Sequence, residues 1–252
     1  MSASIHPTGG RFRFLQRSGV RDWPQHFGAM GKSYEDRAFT HPVLAEQGTE
    51  ELEIVLRSLG EGRGRMLLDI GAGTGRFTIP LLQAGWNVTS FDGSREMLDC
   101  IGSRAPKASL VQGRLGEPLA FESNTFDAVV AMRVTKYVPN VHEALREMSR
   151  VATPGAPVLF DVANRNSLAR FGYGDSTMGF LTPSTLRPLA MQNGLQVTRT
   201  HDGFRLPHAV VGRDLSPRAA QAVIVTERCL ARVFGIGTGR GARSIIVEAT
   251  SR

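Results

Sequence analysis

Residues 65–76 read Arg-Met-Leu-Leu-Asp-Ile-Gly-Ala-Gly-Thr-Gly-Arg, and the reading of this stretch decides the fold. Met66, Leu67, Leu68 and Ile70 form a short apolar run of the kind that makes a strand buried on both faces. Asp69 interrupts the run, directly ahead of Gly71, Gly73 and Gly75. Glycines at alternate positions permit a tight turn and let bare backbone approach a ligand with no Cβ in the way. Phe77, Leu81 and Ala84 follow at helical spacing, so the loop leads to a helix N-terminus. Backbone N–H groups and the helix dipole favour an anion there. Pro80 requires this helix to start near Arg76, because a deeper proline would remove a helical hydrogen bond.

A dinucleotide loop needs G-x-G-x-x-G, but the sixth position counted from Gly71 is Arg76, and from Gly73 it is Thr78. A nicotinamide oxidoreductase is therefore a poor fit. A glycine-rich turn that binds nothing remains open, although a buried carboxylate such as Asp69 needs a partner. Asp92 bears on the choice. It ends the next predicted strand, over 86–91, and lies 23 residues after Asp69. A carboxylate there can accept from both ribose hydroxyls of a nucleotide held by a βαβ unit. An ordinary strand-end turn residue is the alternative.

An acidic residue followed by G-x-G-x-G resembles motif I of the class I S-adenosylmethionine-dependent methyltransferases. The segment 88–98, Val-Thr-Ser-Phe-Asp-Gly-Ser-Arg-Glu-Met-Leu, resembles the second motif of that family. Asn124-Thr-Phe-Asp127 resembles its entry to strand four, and 146–155, ending in Pro154-Gly155, resembles the turn into strand five. The resemblance covers 67–155 by motif and the remainder by topology, and it points most closely to the methyltransferase 11-like group.

It implies S-adenosylmethionine as cofactor, S-adenosylhomocysteine as product, and no metal. It also implies roles. Asp69 steers the ammonium of the cofactor, directly or through water, and the backbone of Gly71, Ala72, Gly73 and Gly75 holds its amino-acid end. Asp92 meets the ribose, and Gly93 and Leu115 also belong to the cofactor site. Arg114 departs from the pattern, because many relatives carry there an aspartate that accepts from the adenine amino group, and a guanidinium has no acceptor. Glu117 or a backbone carbonyl could substitute, Arg114 could stack on the base, or it could face solvent. Met132 and Arg133 end strand four near the transferred methyl, followed by Val134, Thr135, Lys136 and Tyr137. Tyr34 and Arg37, in an N-terminal lid, could cover the cofactor or simply form a solvated helix face.

The remaining chain supplies the elements of such a fold. Leu52, Val55, Leu56 and Leu59 predict a helix that the glycines at 60, 62 and 64 terminate. Ser94 and Asn140 are N-cap candidates. Strands are expected over 108–112, 128–132, 157–162, 195–201 and 244–249, and helices from 182 and over 217–234. The expected fold is α/β and Rossmann-like: a seven-stranded, mostly parallel sheet in the order 3-2-1-4-5-7-6, the last strand antiparallel, with helices on both faces. Residues 1–30 form an arm that is partly flexible, and 31–252 a single domain with a helical lid (31–60) and two excursions (163–181 and 204–216). Excursions of this length suggest lids over an acceptor. Asn164, Arg165, Asn166 and Tyr173 are polar groups there that could meet it.

For catalysis the best-placed residues are Tyr137 and Lys136, at the mouth of the sheet, as base or as positioning groups. His208, from the second excursion, is a candidate lid base, as is His201, while His142 reads as a surface residue. An unrelated class of function, an S-adenosylmethionine-binding module without transferase activity, draws some support from Arg114.

Composition narrows the partners. The net charge is +7, but lysine occurs only at Lys32, Lys107 and Lys136. Base-composition bias gives such an arginine skew with no function attached. No lysine-rich run, zinc-finger spacing or aromatic-basic stretch argues for nucleic acid, so an RNA or protein methyltransferase is the runner-up to a small-molecule enzyme. An anionic acceptor would also suit the charge. The methyltransferase 11-like group acts largely on natural products, quinones, sterols and sugars. No apolar run is long enough to span a membrane, and residues 1–20 lack the apolar core of a signal peptide. Cys100 and Cys229 read as free thiols of a reducing cytoplasm. A homodimer is compatible with everything above.

Overall fold

Two apolar segments, β1 (Met66–Ile70) and β4 (Ala128–Ala131), lie side by side in parallel at the centre of one sheet. A computed structural model describes residues 22, 24–26, 28–29, 41–138, 140–167, 180–205, 215–234 and 242–252. On one side of β1 lie β2 (Asn87–Asp92) and β3 (Ser109–Gln112), and beyond β4 lies β5 (Pro157–Asn164), all parallel. The last strand, β8 (Ser244–Ser251), runs antiparallel between β5 and β7 (Leu195–Asp202). The order β3-β2-β1-β4-β5-β8-β7 is the expected one with one insertion. A two-residue strand, β6 (Phe180–Leu181), pairs in parallel with Ala163 and Asn164 of β5.

β5 thus runs two residues past its expected end. Asn164 N–H donates to the Arg243 carbonyl at 2.9 Å, and Ala163 is in register with Ser244, so the ladder carries the strand on. The first excursion therefore starts later than residue 163. Most of it, 168–179, lies outside the described residues, as do 31–40 and 206–214.

Alternate side chains along each strand enter opposite layers. Leu68, Ile70, Val129, Ala131, Val158 and Phe160 pack with Leu145 and Met148 of α4 (Val141–Val151) and Leu186 of α5 (Pro183–Gln192). On the other face Leu67, Val88, Val130 and Leu159 pack with Val55 of α1 (Pro42–Leu59) and Leu81 of α2 (Thr78–Gln83). Pro80 falls in the first turn of α2, where no helical hydrogen bond is lost. Ser94 caps α3 (Arg95–Arg104) by accepting from Met97 N–H at 3.2 Å, and Asn140 caps α4 by accepting from Glu143 N–H at 3.3 Å. The long α6 (Pro217–Phe234) lays Ala220 and Ile224 against Val43 of α1 and Phe204.

The face that α1 buries includes the expected stripe, with Val55 and Leu59 buried and Leu52 and Leu56 packed against the core, but is wider than expected. Its buried residues are Val43, Gly48, Glu51, Val55 and Leu59, which places a carboxylate inside. Among the described residues no helix is long and apolar enough to cross a membrane.

Candidate functional site

The loop after β1 is held open by its glycines. Gly71, Gly73 and Gly75 have φ of 72°, 54° and 94°, the left-handed region that a Cβ disfavours. Gly71 N–H donates to the Phe91 carbonyl at 2.7 Å, and Ala72 N–H to the same oxygen at 3.2 Å, stitching the loop to the end of β2. A Cβ on Gly71 would lie 2.6 Å from the Val134 Cβ, whereas one on Gly73 would meet nothing nearer than the Gly71 carbonyl at 4.0 Å. The loop therefore presses on Val134 at one end and presents bare backbone at Gly73. Gly71→Ala combines strain with a clash and should cost about 2–3 kcal/mol. Gly60→Ala, at φ 63° with nothing within 4 Å, should cost about 1 kcal/mol. Urea denaturation of both variants measures the contrast, and equal losses would refute the close packing at Gly71.

Asp92, the last residue of β2, faces this loop. Its Oδ2 accepts from Gly73 N–H and its Oδ1 from Ser94 N–H, both at 2.8 Å. Burial pushes its pKa up, opposed by these N–H groups. The carboxylate is thus fixed by two backbone donors, and each oxygen keeps a second lone pair for a ligand hydroxyl. Beside it a Cβ on Gly93 would lie 2.5 Å from Cγ of Pro24, so the N-terminal segment rests on this rim. Arg114 turns to that segment and donates to Asp22 Oδ2 at 2.7 Å. Of the expected alternatives for Arg114, the structure has it in an ion pair at the surface. Leu115 packs half-buried at the edge of the core.

Asp69 does not share the open side of the loop. It is 1% exposed and lies beneath, where Thr78 Oγ1 donates to its Oδ2 at 2.6 Å and sits 2.9 Å from Ser90 Oγ. Burial raises its pKa to about 7, with Asp92 adding to the rise and the Thr78 contacts opposing it. Ala72 and Met132 are also turned inward, Ala72 against Leu98 and Ile101 and Met132 into the α1–α2 layer. At Ala72, the backbone alone is available to a ligand, and the Met132 side chain is core.

Across the loop, the end of β4 carries a second polar group. Arg133 is a non-glycine residue at φ 61°. Its N–H donates to Asp161 Oδ1 at 2.5 Å and its Nε to Glu51 Oε2 at 2.7 Å. Glu51 Oε1 accepts from Gln47 Nε2 at 2.9 Å, and Gln47 Oε1 accepts from Arg243 at 2.6 Å. Lys136 and Tyr137 lie in a 3-10 turn (Thr135–Tyr137), half-buried, with the Lys136 ammonium 5.1 Å from the Tyr137 ring centre. Asp161 is 4% exposed, and its pKa rises to about 6 by burial, with Lys136 opposing.

Glu51, Gln47, Asp161 and Arg243 were not expected here. Asp161 had a signal: like Asp69 it interrupts an apolar strand, here Val158-Leu-Phe-Asp-Val162. Two expectations are corrected. Asn164 is fully buried and structural, its Nδ2 donating to the Ala242 carbonyl at 2.8 Å and its Oδ1 accepting from Asn166 N–H at 3.0 Å. His201 is no lid base, because it lies on β7 and pairs with Glu248 of β8. His142 is exposed, as expected, 3.3 Å from Asn193. Tyr34, Arg37, Tyr173 and His208 lie outside the described residues. Among the described residues no cluster of His, Cys, Asp and Glu could hold a metal ion.

The strand order, the glycine loop after β1 and the carboxylate ending β2 define the fold of the class I S-adenosylmethionine-dependent methyltransferases. Residues 68–160 match the family described as "Methyltransferase domain". The chain is 34% identical over 150 residues to a demethylmenaquinone methyltransferase of Renibacterium salmoninarum, a match covering 58% of this chain and 62% of that protein. It is 28% identical over 107 residues to a ubiquinone biosynthesis O-methyltransferase of Vibrio parahaemolyticus, covering 41% and 46%. Less than two thirds of either relative is spanned. Among solved structures, an S-adenosylmethionine-dependent methyltransferase of Thermotoga maritima aligns with a TM-score of 0.65 at 19% identity, covering 91% of this chain and 99% of that one. Magnesium protoporphyrin IX methyltransferase of Synechocystis, with bound S-adenosylhomocysteine, aligns with a TM-score of 0.62 at 18% identity, covering 91% and 98%.

Proposed function

We propose that the chain transfers the methyl group of S-adenosylmethionine to an oxygen or nitrogen of a small-molecule acceptor, leaving S-adenosylhomocysteine. The observation that carries this reading is Asp92, a carboxylate locked by Gly73 N–H and Ser94 N–H with lone pairs left for two vicinal hydroxyls. The residues present fit an adenosyl amino acid. Asp92 and Gly93 would meet the ribose, the bare backbone at Gly73 the amino-acid end, and Asp69 the ammonium, through water. The bound sulfonium supplies an activated methyl group, so the protein need only orient an acceptor towards it. Positioning of this kind contributes on the order of 7–11 kcal/mol. Lys136 and Tyr137, on the turn after β4, are the groups proposed to orient the acceptor. The ubiquinone biosynthesis O-methyltransferase among the relatives makes a hydroxyl group one candidate acceptor.

A titration of S-adenosylhomocysteine by calorimetry at two pH values tests the cofactor reading. Asp69 holds its proton until about pH 7, and the ammonium is best met by the ionised form. Affinity should therefore rise as pH increases, by about tenfold between pH 6 and pH 8, with a proton released on binding at the lower pH. Asp69→Asn should flatten that dependence. Binding independent of pH in the wild type would remove Asp69 from the site. Tight binding with no methyl transfer to a library of phenols, amines and sugars would favour a binding module.

A further inference from the structure

We propose that Asp161 is the group that takes the acceptor's proton, so that the acceptor is a molecule presenting an ionisable O–H or N–H to Asp161 beside the end of β4. The inference rests on the methyltransferase reading above. Asp161 shares the face of β5 that Leu159 presents to α1, and is 4% exposed. Its Oδ1 accepts from Arg133 N–H, while its Oδ2 takes no hydrogen bond among the described residues. The next residue after Arg133 is Val134, whose side chain packs on Gly71 of the glycine loop. The carboxylate is therefore joined through Arg133 and Val134 to the loop proposed to hold the cofactor, and its strand lies on the opposite side of β1 from β2, which ends in Asp92.

A purely structural role explains part of this arrangement. Asp161 fastens the strained backbone of Arg133, and the Thr135 hydroxyl donates to the Asp161 carbonyl. An uncharged asparagine would accept from Arg133 N–H equally well, without the cost of burying a charge. The carboxylate is instead poised by burial, which disfavours its ionised form, with the Lys136 and Arg133 cations opposing that effect and Glu51 of α1 adding to it. Such a group can receive a proton near neutrality and release it to water afterwards. In the step, a lone pair on the acceptor heteroatom forms the bond to the methyl carbon. The carbon–sulfur bond breaks with its electrons retained by sulfur, giving the neutral thioether. The heteroatom's proton passes to Asp161 Oδ2.

The test needs no acceptor. Protein carrying 13C at aspartate side-chain carboxyls is titrated by NMR, the Asp161 signal being assigned by its loss in Asp161→Asn. S-adenosylmethionine and S-adenosylhomocysteine differ at the sulfur by one methyl group and one positive charge. If Asp161 faces that methyl, its titration midpoint should be lower by at least about 1 pH unit with the sulfonium than with the thioether. Asp161→Asn should retain S-adenosylhomocysteine affinity within about twofold, because it keeps the acceptor for Arg133 N–H. Equal midpoints in the two complexes overturn the inference while leaving the methyltransferase reading intact. A tenfold or greater loss of affinity in Asp161→Asn also overturns it, by placing the residue in the cofactor site. Failure of the folded wild type to bind either nucleoside overturns both.

Discussion

Replacing Asp92 by alanine is expected to raise the dissociation constant for S-adenosylhomocysteine roughly a hundredfold, about 3 kcal/mol. The loss has two sources. Both ribose hydroxyls lose a charged acceptor, and Gly73 N–H and Ser94 N–H lose the carboxylate that holds the loop in place. Asp92→Asn keeps one carbonyl acceptor and should fall between the two. Asp99 is a suitable control, since it pairs with Arg95 on the exposed side of α3, and Asp99→Ala should leave affinity unchanged. Calorimetry on the four proteins checks the series. An Asp92→Ala protein that binds like the wild type would rule out the ribose role.

The second large effect falls on stability. Glu51 is 3% exposed and joins Gln47 to Arg133. Removing one member of a buried pair leaves the other uncompensated, so Glu51→Ala should cost about 3–5 kcal/mol. Two positions along the same helix, Glu53 pairs with Arg57 at 3.7 Å in full view of solvent, and Glu53→Ala should cost less than about 1 kcal/mol. Urea denaturation of both variants measures the difference. A small loss at Glu51 would mean that the polar network adds little to holding α1 on the sheet. Because Arg133 sits at φ 61° between Glu51 and Asp161, the same variant should also disturb the turn carrying Lys136 and Tyr137.

Much of the fold was legible because its signals are local. The run before Asp69 and the three glycines specify a strand and a turn within twelve residues, and Ser94, Asn140 and Thr182 each mark a helix start where the structure has one. Asp92 was legible for the same reason, as a carboxylate at a strand end. The remainder depends on pairs far apart in the chain. Arg114 meets Asp22 across 92 positions, and Arg133 meets Glu51 across 82. No periodicity announces such partners. Glu51 was hidden further by its helix: the apolar stripe from Leu52 to Leu59 does face the core, and Glu51 lies one turn before Val55 on its edge, where a sequence pattern reads a carboxylate as solvated. Asp161 is a different case. The pattern that singled out Asp69, a carboxylate inside an apolar strand, also occurs in β5, but no glycine loop follows it to draw attention. The two-residue β6 was illegible because two paired residues have no pattern of their own.

A crystal structure of the protein grown with S-adenosylhomocysteine tests the central claim most directly. The account predicts one nucleoside per chain, its ribose hydroxyls on the Asp92 carboxylate and its amino-acid end over Gly73. A nucleoside bound elsewhere, or a complex in which Asp92 contacts only Gly73 and Ser94, would contradict it.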